Sequence, residues 1–362
     1  MSYRIGIDTL NLRPTPRLAH TEYCSHDPLI RAVTGAPAPR PALPPKKGAQ
    51  CVSPHVTAPG GRGFEDAWEF DFIWHSDDGP VPWGRRGRVT DMGHAEFLEG
   101  GVDKRAPGVC PFKSVEEVLE FDAVKEYGLP DFAELAAYYE ESYQESQAAH
   151  PNQVFPGGYY KTVVSGAIEA FGWEMLLLAA AEKDKFERVL DSIFQLTLHH
   201  HKAWAKTSIK AFVSHDDMVW TQGPFMHPDY YRRVIFPRYQ ALWKVLKDAG
   251  IKVLFCSDAN WTAFIDDIAA AGADGFIFEP MTSVDKVVER YGRTHVIVSS
   301  KVDCRTLTFG AKAEIQAEID ATLPLARKCP GFMFAVGNHI PSNVPLDNAL
   351  FYFQYLREHW RR

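Results

Sequence analysis

The chain lacks the usual marks of a membrane protein, a nucleic-acid binder or a disulfide scaffold. Its six cysteines (Cys24, Cys51, Cys110, Cys256, Cys304, Cys329) are scattered through 362 residues without a CxxC pair. In a chain of this size that pattern reads as reduced thiols rather than cross-links. No apolar run is long enough to span a bilayer: Ile265 to Ala273 is interrupted by Asp266 and Asp267 and followed by Asp274. The opening residues, Met1 to Asp8, have no apolar stretch of the kind a secretory signal needs. A cytoplasmic location and no membrane partner are therefore expected. Basic runs are missing as well, and 39 Lys and Arg against 46 Asp and Glu leave a formal charge of −7. That balance argues against a sequence-independent hold on nucleic acid. Nor does any GxGxxG follow a strand-like run, so the main signal of a dinucleotide fold is absent.

What is present is ordinary globular material, 46% hydrophobic and 23% charged, enough for one large α/β domain. Residues 14–63 are rich in proline and glycine, including Ala-Pro-Ala-Pro-Arg-Pro-Ala-Leu-Pro-Pro ending at Pro45, and predict a long irregular segment. Residues 64–110 combine Trp68, Phe70, Phe72, Ile73, Trp74, Trp83 and Phe97 with many charges. They read as an extra layer of short strands on the main domain, either plugging its floor or covering its mouth. Residues 114–149 look helical, with Ser114 and Glu117 spaced as a capping box.

From about Asn152 strand and helix alternate. Strand-like runs at 154–157, 209–214, 252–256, 275–278, 295–299 and 332–336 are separated by helical periodicity. The runs are almost wholly apolar, as parallel strands covered on both faces require. The predicted fold is α/β: a (β/α)8 TIM barrel over residues 111–362, with an irregular N-terminal extension over 1–110 packed on it.

A barrel carries its chemistry at the C-terminal ends of its strands. Five consecutive strands end in reactive side chains: Ser214-His215-Asp216-Asp217, Cys256-Ser257-Asp258, Glu279-Pro280, Ser300-Lys301-Val302-Asp303 and Gly337-Asn338-His339. The opposite ends are plain helix-to-strand turns. His215 beside two acids reads as a proton carrier or as a satisfied core histidine. Of Asp216 and Asp217, one is expected in the site and the other in a structural role. Asp303 and Lys301 read equally well as a salt bridge. His199-His200-His201 invites a metal, but neighbours on a helix point in different directions, so a solvated helix face is expected.

These motifs, read in order, resemble the uroporphyrinogen decarboxylase superfamily. Asp216 to Arg232 followed by Phe236-Pro-Arg-Tyr239 is similar to its DDxGxQxGPxxSPxxYRxxxxPxY block. Val253 to Asn260, Ala271 to Pro280, Val302 to Gly310 and Gly337 to Asn348 follow its later strand ends. The resemblance covers roughly residues 150–362. The FMRQAGRY segment, whose arginines hold the carboxylates of a porphyrinogen, is not found.

The resemblance therefore points to the superfamily's other branch, methyltransferases that pass a methyl group to a corrinoid protein or a thiol. Where those of one type hold zinc with an HxC…C set, this chain has Cys256, Asp258 and Asn338, the last beside His339. The expectation that follows is a zinc held by Cys256, Asp258 and His339 with Glu279 as the fourth ligand. Asp217, His215 and Gln222 would be the catalytic group, and Asp216, Asp303, Trp74 and Asn338 would contact a small methylated substrate. The acceptor would be a corrinoid on a partner protein, and the aromatic surface permits a homodimer. Two other readings stand beside it: a metal-independent, uroporphyrinogen decarboxylase-like enzyme, and a barrel that binds a small ligand without turnover.

Overall fold

The computed structural model describes residues 2–35, 63–90 and 110–362. Seven parallel strands form one sheet: β1 (Ala19–His20), β2 (Gly157–Tyr159), β3 (Ala211–His215), β4 (Lys252–Cys256), β5 (Gly275–Ile277), β6 (Val296–Ser299) and β7 (Phe332–Phe334), in the order β1-β7-β6-β5-β4-β3-β2. The gap between β1 and β2 is filled by the extended segment 71–77. On one side the Asp71 amide donates to His20 O and the Thr21 hydroxyl to Phe72 O. On the other, Ile73 N donates to Val154 O, Val154 N to Asp71 O and Asp77 N to Gly158 O. The sheet is thereby closed into the barrel expected from the alternating pattern.

Alternation within each strand separates two cores. Ala211, Val213, Leu254, Cys256, Ile277, Val296, Val298 and Met333 face the barrel interior. Phe212, Val253, Phe255, Phe276, Ile297, Phe332 and Phe334 face the helices. The narrow bore of a closed barrel of this size accepts small and branched side chains, while the helix-facing layer takes the aromatics. This two-sided burial is why the strands read as unbroken apolar runs.

The helix Ser2–Leu10 sends Ile5 and Leu10 into the interior cluster. It closes the floor: Leu12 touches Gly331 at the start of β7, and a Cβ on Gly6 would lie 2.2 Å from Asp71 O. The floor is thus plugged from the chain's first helix, and the aromatic segment is left free to shape the mouth.

Three expectations are corrected. The layer expected over 1–110 does not simply sit on the barrel, because β1 and the segment 71–77 are staves of it; two-residue pairings are too short to leave a periodic signal. Among the described residues of 64–110 there is no named strand: Phe64–Ala67 is a helix, Trp83–Arg85 a single 3-10 turn, and 71–77 an extended segment. Residues 91–109, including Phe97, lie outside the described residues, as do residues 36–62 of the proline-rich stretch, Cys51 among them. Finally, the helical region 114–149 is three helices, Val115–Leu119, Ala123–Tyr127 and Phe132–Ala149. Ser114 does cap the first by accepting from Glu117 N. The Glu117 carboxylate turns instead to Lys113 N and Arg88.

Closure rests on one buried carboxylate. Asp71 is held by both Arg17 guanidinium nitrogens, at 2.6 and 2.9 Å, and by His20 N at 3.0 Å. Removing one partner of a buried ion pair strands the other, which typically costs about 3–5 kcal/mol. Asp71→Ala is therefore expected to lower the unfolding free energy by about 3 kcal/mol or more, read as a lower midpoint in urea. A midpoint unchanged from the parent's would mean that the segment closes the barrel without this clamp.

Candidate active site

The strand ends converge on a small pocket with a cavity volume of about 40 Å³ that opens to solvent. Its polar walls are Glu22, Asp258, Glu279 and Asn338, its aromatic walls Tyr23, Trp74 and Phe278, and its apolar lining includes Cys256, Ile277, Val298 and Ala335. The three ionisable oxygen ligands are all acids, and no Lys or Arg lines it among the described residues. Thr21, Glu22 and Tyr23 follow β1, Trp74 lies in the closing segment, Cys256, Ile277 and Val298 sit on β4, β5 and β6, and the others follow β4, β5 and β7.

Beside the pocket sits a coupled pair. His215, on β3 in register with Cys256 of β4, brings Nε2 to within 3.1 Å of Asp217 Oδ1. Asp217 also accepts from Asp258 N at 3.0 Å and from the Tyr160 hydroxyl at 3.2 Å. Burial opposes its ionisation, but His215 and these donors together hold its pKa below the ordinary carboxylate value. The His215 ring is met edge-on by Tyr160 and Trp74. Its Nδ1 is buried without a hydrogen-bond partner.

Asp216, expected to touch substrate, points the other way. It is fully buried and accepts from the amides of Val163, Val164 and Ser165 and from the Tyr239 hydroxyl. It therefore anchors the start of the helix Val164–Ala180 to the end of β3. Of the adjacent acids, Asp217 belongs to the site and Asp216 to the frame. Asp303 is also removed from substrate contact: it caps the helix Cys304–Phe309 and is gripped by Arg305. Gln222 is exposed, in the tight turn where Trp220 and Gly223 exchange backbone hydrogen bonds, and does not line the pocket. Trp74 and Asn338 do line it, as expected.

The proposed zinc set is brought only partly together. Cys256, Asp258 and Glu279 share the pocket, but His339 does not line it and is bonded through Nδ1 to Asn338 Oδ1. The Asn338 amide donates to Asp258 Oδ2 at 3.0 Å. A donating N–H thus faces the carboxylate where a ligand would be needed. Among the described residues no group of three or more His, Cys, Asp or Glu side chains is arranged to hold a metal ion. The residues present do not fit zinc in this arrangement. Burial, then the nearby Asp258, Asp217 and Glu279, push the Cys256 pKa well above the usual thiol value.

Glu279 is a largely buried carboxylate whose ionisation is opposed. Burial raises its pKa, opposed by the hydrogen bond from Ala259 N to Oε1 at 2.6 Å, and Asp303 raises it further. Among the described residues no hydrogen bond to Oε2 is found. Backbone strain clusters here too: Ala259 and Asn338, both beside the pocket's acids, take the left-handed φ of +68° that asparagine tolerates better than alanine.

The histidine run His199-His200-His201 is not a solvated face. His200 and His201 are buried, bonded to the Tyr139 hydroxyl and Thr197 O, and burial lowers the His201 pKa to about 3. Both are neutral core side chains, buried because the helix Lys183–Trp204 packs on the barrel through this turn. Two groups that line or support the pocket carried no recognisable sequence signal. Glu22 and Tyr23 follow a strand of two residues, and Tyr160 reaches Asp217 from the end of β2. The string Leu18-Ala-His-Thr-Glu-Tyr23, apolar and then polar after two prolines, is the one hint that a barrel strand precedes residue 110.

These roles separate in stability measurements. Asp216→Ala, which orphans three buried amides, is expected to cost about 3 kcal/mol or more, whereas exposed Gln222→Ala stays within about 0.5 kcal/mol of the parent. Chemical denaturation of both checks this, and equal losses would return Gln222 to a buried role. For Glu279 the sign runs the other way. Its raised pKa means that folding penalises the charged form at pH values above the ordinary carboxylate range, and the penalty vanishes below it. Glu279→Gln keeps the bond from Ala259 N and should be more stable than the parent at pH 8, the gap closing as the pH falls toward 4. A gap that widens on acidification would reverse the assignment.

A family model described as Uroporphyrinogen decarboxylase (URO-D) matches residues 161–359, more than half of the chain. A curated uroporphyrinogen decarboxylase of Carboxydothermus hydrogenoformans is 25% identical over 175 residues, 48% of each chain. That of Syntrophotalea carbinolica is 27% identical over 169 residues, 46% of this chain and 47% of its own. The match spans about half the length of these curated relatives. A solved methyltransferase from Methanosarcina mazei superposes with a TM-score of 0.62 over 99% of this chain and 98% of its own, at 17% identity. The likeness is one of fold. From the matched segment, with the barrel and mouth described above, the chain belongs to the uroporphyrinogen decarboxylase family.

Proposed function

We propose that the protein is a methyltransferase of this family, taking a methyl group from a small methylated compound in the mouth pocket and passing it to a reduced corrinoid on a partner protein. The observation that carries this reading is the lining of the pocket. Glu22, Asp258 and Glu279 supply its charge, with no Lys or Arg among the described lining residues. A substrate bearing several carboxylates would meet like charge at close range, which costs several kcal/mol in a partly buried site even at an effective dielectric of about 20. The Methanosarcina mazei neighbour, titled a methyltransferase, covers nearly the whole chain and is consistent with the reading by analogy of fold.

In the transfer, the bond from the methyl carbon to its heteroatom breaks, the electron pair stays on the heteroatom, and the methyl joins the acceptor. The corrinoid supplies the nucleophile that takes it. This chain's residues bind and orient the donor: Tyr23 and Trp74 wall it from water, and Glu279 and Asp258 offset the charge of a donor whose heteroatom is cationic. His215 and Asp217 stand beside it as the pair able to hold a proton. No step runs through zinc, because the candidate ligands do not converge.

The second reading, decarboxylation, is favoured by the two curated relatives and opposed by the acidic lining. A direct comparison decides between them. Protein mixed with chemically reduced cobalamin and a panel of methylated alcohols, phenols and amines is expected to release a demethylated product, detected by mass spectrometry. Asp217→Asn should slow that release by about tenfold or more, the scale of losing one positioned acid–base partner. Loss of carbon dioxide from uroporphyrinogen, with every methylated compound returned intact, would transfer the assignment to the decarboxylase.

A further inference from the structure

We infer that the ligand selected by the mouth pocket is a methylated ammonium ion, a refinement that rests on the methyl-transfer reading. Two features of the pocket lead there. The first is the combination of walls: carboxylates of Asp258 and Glu279, aromatic rings of Tyr23 and Trp74, and an apolar floor that includes Ile277 and Val298. Carboxylates alone would suit any cation, and a small metal ion would need converging oxygen or nitrogen ligands, which the described residues do not provide. Aromatic faces and aliphatic floor suit a cation that carries its charge under a skin of methyl groups.

The second feature is an open carboxylate oxygen. Glu279 uses Oε1 on Ala259 N, and among the described residues no hydrogen bond to Oε2 is found. His215, whose ring meets Trp74 edge-on, is not among the lining residues. A neutral ether brings only another acceptor to that oxygen. An ammonium ion offsets the carboxylate charge, and a quaternary one does so through its skin of methyl groups.

The chemistry closes without a proton. When a methyl leaves a tetraalkylammonium nitrogen, the carbon–nitrogen bond breaks, the pair stays on nitrogen and a neutral tertiary amine forms. The methyl becomes bonded to the reduced corrinoid named above, which provides the pair for the new bond. An ether oxygen would instead leave as an alkoxide and need an acid. The positive charge that the carboxylates hold is therefore spent in the step itself, and the product is held less tightly than the substrate.

The test is a titration of the full chain, followed by tryptophan fluorescence and by calorimetry, with choline and with its uncharged isostere in which carbon replaces nitrogen. Choline is expected to bind more tightly by about tenfold or more, the scale of a desolvated cation–aromatic contact with a carboxylate nearby. Glu279→Gln and Trp74→Leu, each confirmed as folded by circular dichroism, are expected to lose most of that preference. Equal affinity for the two probes overturns the inference, and so does a preference that both variants retain, because the cation would then sit elsewhere. The same samples, given reduced cobalamin, report methyl loss separately. Selective choline binding without methyl loss supports the cation pocket and counts against the methyltransferase reading, so the two failures are told apart.

Discussion

A single buried carboxylate, Asp71, holds the barrel shut, and most of what is distinctive about this protein depends on it. Arg17 forks onto it from the chain's beginning, the amide of His20 donates to it, and its own backbone links β1 on one side to Val154 on the other. In a low-dielectric interior such a pair is specific more than it is strong: the desolvation of both charges offsets much of their attraction, but a wrong partner would leave either one stranded. The consequence is positional. Closing the ring through residues 71–77 places Trp74 on the mouth, and β1 beside that segment brings Tyr23 to within 5.1 Å of it, ring centre to ring centre.

The mouth is built from a division of labour among neighbouring acids. Asp216 is consumed by the frame, where three amides and a tyrosine hydroxyl satisfy it. Asp303 is consumed by a helix cap and Arg305. Glu22 is satisfied by His20, Tyr352 and the amide of Val336, although it also borders the pocket. Glu279 is left with an oxygen free and a raised pKa, and with two residues nearby in left-handed backbone conformation. Poor satisfaction of this kind is unfavourable for stability and is retained where a ligand completes the set. An acid-lined pocket with no Lys or Arg among the described lining residues suits a cationic ligand better than a polycarboxylate on elementary electrostatics.

The sequence was most legible where periodicity spans several residues. The strands β3 to β7 and the helices between them were readable because each is long enough to be covered on both faces. The capping role of Ser114 was likewise local, three residues from the amide it serves. Less legible were β1 and the closing segment, whose pairings involve one or two residues and partners more than fifty positions away. The expected zinc set failed for a related reason. Cys256, Asp258 and His339 lie at the right strand ends, yet the direction of His339 is decided by its bond to Asn338. That of Asp258 is decided in part by the amide facing it.

By itself, then, the amino-acid order determined the α/β alternation, the parallel sheet, and the rule that reactive side chains gather at one end of it, since these follow from local hydrophobic period and from the geometry of parallel strands. Only the tertiary structure decided how the ring closes, which of two adjacent aspartates faces the interior, that the histidine run is buried, and that the pocket is acidic and aromatic. Each of those depends on contacts between residues distant in the chain, where a rotation of one side chain exchanges a buried hydrogen bond for an open site. Residue type and spacing bring such groups to the same rim; packing alone determines which of them meet.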